Sequence, residues 1–302
     1  MCRQDWTGVL PAITTPWRTD DTIDLDLFAR HAAWMVGHGC SGLVTPGSLG
    51  EGGLLSLDER KALWKAAVGA VGAQVPVVAA VGACSTREAV HIARAAEECG
   101  CRGLMVLPPY AYKGTWREMH AHFGAVLQHT QLSCMLYNNP IAYGTDLLPT
   151  QMAQLAAEHA NVQAIKESSG DIRRMTELRA SLPSQVVLLV GIDDMVLEGV
   201  AAGAEGWVAG LVNGFPAESV RLLDLAINGR LDDAQELYEW FLPLLRLDAG
   251  PDFVHLVKLA QARAGWGNER LRLPRLPLEG TARARVMSII DACMKVRPAI
   301  AH

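Results

Sequence analysis

Short, uniformly apolar runs recur along the chain, and each precedes a stretch in which apolar residues return every three or four positions. The runs at residues 9–15, 42–45, 75–81, 103–107, 132–137, 162–166, 186–190 and 206–209 read as strands. Being apolar on both faces, they fit a parallel sheet covered by helices, not a half-exposed antiparallel one. Segments 25–38, 57–71, 86–99, 115–129, 149–159, 171–181 and 195–202 carry helical spacing. Ser56 with Glu59, and Ser85 with Glu88, mark helix starts, because the serine oxygen accepts a hydrogen bond from an otherwise unpaired N–H of the first turn. Gly39 and Gly100 mark stops that need a left-handed residue. Eight strand–helix units in about 220 residues have the count and size of a (β/α)8 TIM barrel. A doubly wound open sheet is the competing architecture, but Thr14-Thr15-Pro16-Trp17 stands where its glycine-rich phosphate loop would follow the first strand. Beyond residue 229 the strands stop, and 231–247, 253–264 and 281–294 read as helices. The predicted organisation is a catalytic barrel over 1–228 and a helical extension over 229–302 that supports assembly.

Composition narrows the class. The chain has 302 residues, 50% of them hydrophobic and 20% charged, enough for a large core without staples. A net charge of −5 gives no footprint for nucleic acid or an anionic membrane. No apolar run reaches the roughly 18–20 residues of a membrane span, and the first residues lack the apolar core of a signal peptide, so a cytoplasmic protein is expected. Seven scattered cysteines read as buried free thiols of a reducing compartment. Cys99 and Cys101 have no second ligand pair at metal spacing, and His120 and His122 fall inside a predicted helix that sends them to different sides as surface groups. No metal site is therefore expected.

In a barrel the reacting groups gather at the C-terminal ends of the strands. Only six lysines occur, and five of them (Lys61, Lys65, Lys113, Lys258, Lys295) fall on predicted helices or loops and read as surface groups. Lys166 instead ends the run Val162-Gln163-Ala164-Ile165. An amine in that apolar setting loses part of its solvation, which favours the neutral, nucleophilic form that builds a Schiff base with a carbonyl. The bland alternative is a lysine reaching solvent or paired with Glu167. Tyr137 closes the preceding strand and offers a phenol for proton relay, or simply packs there. The N–H groups of Gly47-Ser48-Leu49-Gly50-Glu51 and the Ser48 hydroxyl suit a substrate carboxylate, although an ordinary glycine turn looks the same. Thr14, Gly191 and Gly210 complete the candidate substrate-binding set with Gly47, Ser48 and Leu49. Asp193-Asp194 serves either a substrate hydroxyl or a helix N-cap, Glu51 reads as a buried hydrogen-bond anchor, and Trp207 and Trp240 read as core.

Three motifs in order, Gly47-Ser48-Leu49-Gly50-Glu51, Tyr137-Asn138-Asn139-Pro140 and Ile165-Lys166-Glu167-Ser168-Ser169-Gly170-Asp171, together with the opening Gly8-Val9-Leu10-Pro11-Ala12-Ile13-Thr14-Thr15-Pro16, resemble the dihydrodipicolinate synthase / N-acetylneuraminate lyase superfamily. The resemblance implies a cofactor-free barrel enzyme in which Lys166 is the Schiff-base lysine, Tyr137 the proton-relay tyrosine and Ser48 the hydroxyl of the carboxylate loop. It also implies that Tyr110 matches a tyrosine that in the synthase branch reaches into a neighbouring subunit's site, and that the assembly is a homotetramer built as a dimer of dimers. Two positions depart from the synthase branch: Ala142 stands where its arginine would bind a second carboxylate, and Ser48-Leu49 replaces its paired threonines. The local patterns Tyr137–Tyr143, Gly206–Asn213 and Lys258-Leu259-Ala260 are most similar to hydroxyproline-pathway deaminases. That similarity implies a small 2-oxo or cyclic 2-imino acid substrate. The main expectation is conversion of 1-pyrroline-4-hydroxy-2-carboxylate to 2-oxoglutarate semialdehyde and ammonia, with Tyr137, Ser48 and Tyr110 relaying protons. An aldolase or dehydratase of 2-keto-3-deoxy sugar acids is the alternative, and dihydrodipicolinate synthesis ranks last.

Overall fold

The computed structural model describes residues 1–300. Its eight strands are Gly8–Pro11 (β1), Leu43–Thr45 (β2), Val77–Val81 (β3), Gly103–Val106 (β4), Ser133–Asn138 (β5), Val162–Glu167 (β6), Val187–Val190 (β7) and Gly206–Ala209 (β8). All neighbours pair in parallel in the order β1-β8-β7-β6-β5-β4-β3-β2. A parallel bridge between Ala12 and Val44, just past β1, nearly closes the ring. The result is the (β/α)8 barrel expected from the apolar runs, and the strand residues are buried almost throughout.

The connecting helices are Leu25–Gly37 (α1), Leu57–Val71 (α2), Thr86–Glu98 (α3), Trp116–Gln128 (α4), the single turn Pro140–Tyr143 (α5), Pro149–Glu158 (α6), Arg173–Ser181 (α7), Val196–Ala201 (α8) and Pro216–Ile227 (α9). Ser56 caps α2 through the reciprocal bonds Glu59 N–H to Ser56 Oγ and Ser56 N–H to Glu59 Oε2. Gly39 and Gly100 take φ of 95° and 86°, the left-handed turn that an L side chain resists. Two helices are not bounded in the sequence reading. α5 is shorter than two turns, and α9 starts on Pro216 with no side-chain cap. The histidine pair also departs from expectation. His120 lies at the surface bonded to Glu158, whereas His122 is buried against Thr86. Among the described residues no group of three or more His, Cys, Asp or Glu side chains is gathered as for a metal ion. All seven cysteines are free, with Cys40, Cys99, Cys101, Cys134 and Cys293 buried and Cys2 and Cys84 exposed.

After α9 come Leu231–Leu245 (α10), Phe253–Arg263 (α11) and Gly280–Lys295 (α12). Trp240 on α10 donates to the Cys293 carbonyl of α12. α11 buries Val254, Val257, Lys258 and Gln261. Its side chains reach the segment that follows β1: Lys258 donates to the Thr15 carbonyl at 2.8 Å, and the Thr14 hydroxyl donates to Gln261 Oε1 at 2.6 Å. The extension is thereby packed against the mouth of the barrel.

Candidate active site

The arrangement begins with register. β5 and β6 pair Tyr137 with Lys166 and Asn138 with Glu167. Successive strand residues face opposite sides and paired residues share a face, so the phenol and the amine emerge together. The other pair does the anchoring. Asn138 Nδ2 donates to Glu167 Oε2 at 3.1 Å, Ser169 N–H donates to Glu167 Oε1 at 2.6 Å, and Asn138 Oδ1 accepts from Leu147 N–H. Burial raises the Glu167 carboxyl, and these hydrogen bonds oppose that shift. Glu167 therefore has its own partners, and the pairing of Lys166 with Glu167 is not found.

Lys166 is 6% exposed, and its Nζ lies 4.2 Å from the centroid of the Tyr137 ring. Asn139 Nδ2 donates to the Tyr137 hydroxyl at 2.9 Å. Tyr143, at the end of α5, meets Tyr137 edge-on with centroids 5.9 Å apart, and its hydroxyl is hydrogen-bonded to Ser48 Oγ. Burial pushes the Tyr143 phenol up, with Tyr137 adding to the shift, so Tyr143 is a neutral hydroxyl that both donates and accepts. Tyr137, Tyr143 and Ser48 thus line one cavity with the amine. The sequence reading gave the third hydroxyl to Tyr110. That residue is 40% exposed on the loop after β4, and the partner of Ser48 within the chain is Tyr143.

These groups open into a cavity of about 510 Å³, ample for a small organic acid. Gly47, Ser48 and Leu49 line it from the β2 loop, Gly191 and Gly210 from the ends of β7 and β8, and Tyr110 from the loop after β4. Thr14 does not line it, since its hydroxyl and N–H are taken by Gln261 and Asn213. Gly191 has a steric reason to be glycine: an added Cβ would fall 2.6 Å from Lys166 Cε and 1.9 Å from Ser168 Oγ. The Ser168 hydroxyl beside it is buried without a hydrogen-bond partner.

The loop after β2 is pinned from below. Glu51 takes φ 56°, an uncommon conformation for a residue with a side chain. Its carboxylate accepts from Trp17 Nε1 at 2.7 Å, Lys258 Nζ at 3.0 Å and Arg272 N–H at 3.2 Å. Glu51 is thus the anchor expected. Lys258 corrects the reading of five surface lysines: it is 1% exposed, with burial lowering its amine and Glu51 holding it up. Asp193 is not a helix cap. It accepts from Trp207 Nε1, Gly210 N–H and Leu211 N–H at 2.7–3.0 Å, which locks the turn after β8, and burial pushes its carboxyl up to about 6. Trp207 is fully buried and Trp240 partly so.

The extension adds residues that no local pattern marked. Asp248, from the turn after α10, and Arg275, before α12, line the cavity, as does buried Arg60 of α2. Arg60 Nη2 donates to the Gly52 carbonyl and Arg275 Nη1 lies 3.9 Å from Glu51 Oε2. Ala142 also lines the cavity, together with Arg60, Arg275 and Lys166.

A model of the Dihydrodipicolinate synthetase family matches residues 5–293. A 4-hydroxy-tetrahydrodipicolinate synthase of Exiguobacterium sp. is 32% identical over 97% of this chain and 99% of its own. Among solved structures, a 4-hydroxy-tetrahydrodipicolinate synthase from Methylacidiphilum fumariolicum SolV superposes with TM-score 0.91 at 28% identity, covering 96% of each chain. A prophage protein of the dihydrodipicolinic acid synthase family from E. coli K12, solved in complex with pyruvate, gives 0.90 at 26% identity, covering 95% of this chain and 98% of its own.

Proposed function

Because the chain belongs to the dihydrodipicolinate synthetase family, a family of lyases, we propose that it is a class I lyase in which the Lys166 amine forms a Schiff base with C2 of pyruvate or a closely related 2-oxo acid. The observation that carries this reading is the paired emergence of Lys166 and Tyr137 into one cavity, with Nζ 4.2 Å from the ring. The substrate carboxylate rests on the N–H groups and hydroxyl of Gly47 and Ser48. Lys166 Nζ attacks C2, the C2 oxygen takes one proton from the attacking nitrogen and a second from Tyr137, and it leaves as water as the C2–N iminium forms. Tyr137 recovers its proton along Ser48 and Tyr143. Loss of a C3 proton then gives the enamine, a carbon nucleophile.

For the acceptor, the names of the relatives support an aldehyde condensation of the 4-hydroxy-tetrahydrodipicolinate synthase kind. The reaction ranked last from the sequence thereby comes first. Deamination of the hydroxylated pyrroline acid rested on local similarity and gains no support from those names. Arg60 and Arg275 supply the positive charge for a second carboxylate that Ala142 does not. The test is a comparison of purified protein on two mixtures. Pyruvate with aspartate semialdehyde is expected to be consumed in equal amounts. Ammonia release from the hydroxylated pyrroline acid, with no condensation, would overturn the acceptor assignment.

A further inference from the structure

Lys166 has a proton carrier on each side. Tyr137 stands on β5, and across β7 and β8 stand two carboxyl groups the mechanism above does not use. The stem of Lys166 lies over Gly191 at the end of β7, and the carboxyl of Asp248 lies over Gly210 at the end of β8, where a Cβ would fall 2.5 Å from Asp248 Oδ1. Following the strand order β5-β6-β7-β8, phenol, amine and carboxyl occupy successive sectors of the mouth, with neighbouring strands about 4.8 Å apart. Asp193, next to Asp248, is saturated by three N–H donors. Among the described residues Asp248 has no side-chain hydrogen-bond or ion-pair partner, and it lines the cavity.

We infer that Asp248 is a catalytic acid for the oxygen on C4 of the substrate chain, acting on the far side of Lys166 from Tyr137. This rests on the Schiff-base reading above. As C3 of the Lys166-bound enamine attacks an acceptor aldehyde, the C3–C4 bond forms. The carbonyl π pair moves to the C4 oxygen, that oxygen takes the proton of Asp248, and the enamine nitrogen becomes an iminium. In cleavage, Asp248 carboxylate removes the hydroxyl proton and the same bonds reverse. The carboxyl is suited to this because burial raises it first, and the Asp193 and Asp194 charges add to that against Lys166. Asp194 itself is near Arg246, so its contribution is partly offset. The division of labour follows from position, with Tyr137 serving C2 and Asp248 serving C4. Substrates with an oxygen function on C4 are thereby selected.

The test separates the two halves of the reaction. Exchange of the C3 protons of pyruvate with deuterium, followed by NMR, needs the Schiff base and enamine but no acceptor. Asp248→Asn is expected to keep that exchange within about threefold while condensation with aspartate semialdehyde, and cleavage of a 4-hydroxy-2-oxo acid, fall by about 100-fold or more, the size of a lost general acid. Asp248→Ser, read in the same two assays, is expected to show the same split if Asp248→Asn does not fold. Equal loss of exchange and condensation, or no loss of either, overturns the assignment to C4. Absence of exchange in the unaltered protein overturns the Schiff-base reading itself, a result distinguishable from both.

Discussion

Replacing Lys258 by methionine tests whether the extension holds the loop after β2. The side chains of Lys258 and Glu51 are 1% and 0% exposed, and Nζ lies 3.0 Å from Glu51 Oε1. Methionine keeps most of the lysine stem, so little cavity is made. What is lost is the charge that compensates Glu51 and the donor to the Thr15 carbonyl. Removing one partner of a buried pair costs about 3–5 kcal/mol. Trp17 and the Arg272 backbone still bond Glu51, which places the expectation at about 3 kcal/mol, the lower end of that range. In urea unfolding with a slope of about 3 kcal/mol/M, the midpoint falls by about 1 M. Adding Glu51→Gln in the Lys258→Met background removes the stranded charge, so the double variant is expected to be more stable than the sum of the single changes predicts. A fall below about 0.3 M in the single variant, the behaviour of a surface lysine, would refute the reasoning.

The remaining expectations concern protons and packing. His31 is buried with Nε2 on the Asn213 carbonyl, and burial lowers it to about 4 from 6.5. The unfolded chain then takes up a proton that the folded chain refuses. The contribution is complete above pH 6.5 and is lost as the pH falls toward 4, by about 3 kcal/mol. His31→Gln should flatten that limb of the stability–pH curve, and an unchanged limb would exclude His31 as its source. Tyr143→Phe removes the hydroxyl that meets Ser48 and is expected to slow pyruvate C3 exchange about 100-fold, the low end of proton-relay effects. Tyr110→Phe in a dilute monomeric preparation should change that rate by less than about threefold, and a reversal of the two would assign the relay to Tyr110. Gly191→Ala places a methyl 2.6 Å from Lys166 Cε. It should reduce borohydride-trapped adduct by more than about tenfold, the expected price of moving a reacting group by an ångström.

The barrel was legible because its strands are apolar on both faces, a pattern that few other structures demand. Helix α9 was counted as part of the eighth strand–helix unit but not bounded, although Pro216 in its first turn marks its start. Lys166 and Tyr137 could be placed because strand-end position in a barrel fixes where a side chain emerges. Lys258 could not: its helix was evident, but periodicity does not say what the helix packs against, and α11 turns that lysine onto Glu51 more than 200 residues earlier. Asp248 and Arg275 reach the cavity from turns between tail helices, where neither strand register nor helical spacing constrains direction. Tyr143 was hidden for a different reason. It lies in a one-turn helix, too short to show a period, and its meeting with Ser48 depends on how that turn folds back over the mouth.

The central claim is that Lys166 is the amine that carries the substrate. The direct measurement is borohydride reduction of the protein with pyruvate, followed by mass-spectrometric mapping of the modified peptide. The account predicts one reduced adduct, on Lys166, and loss of both adduct and pyruvate C3 exchange in Lys166→Ala. An adduct on another lysine, or exchange that persists in Lys166→Ala, would contradict it.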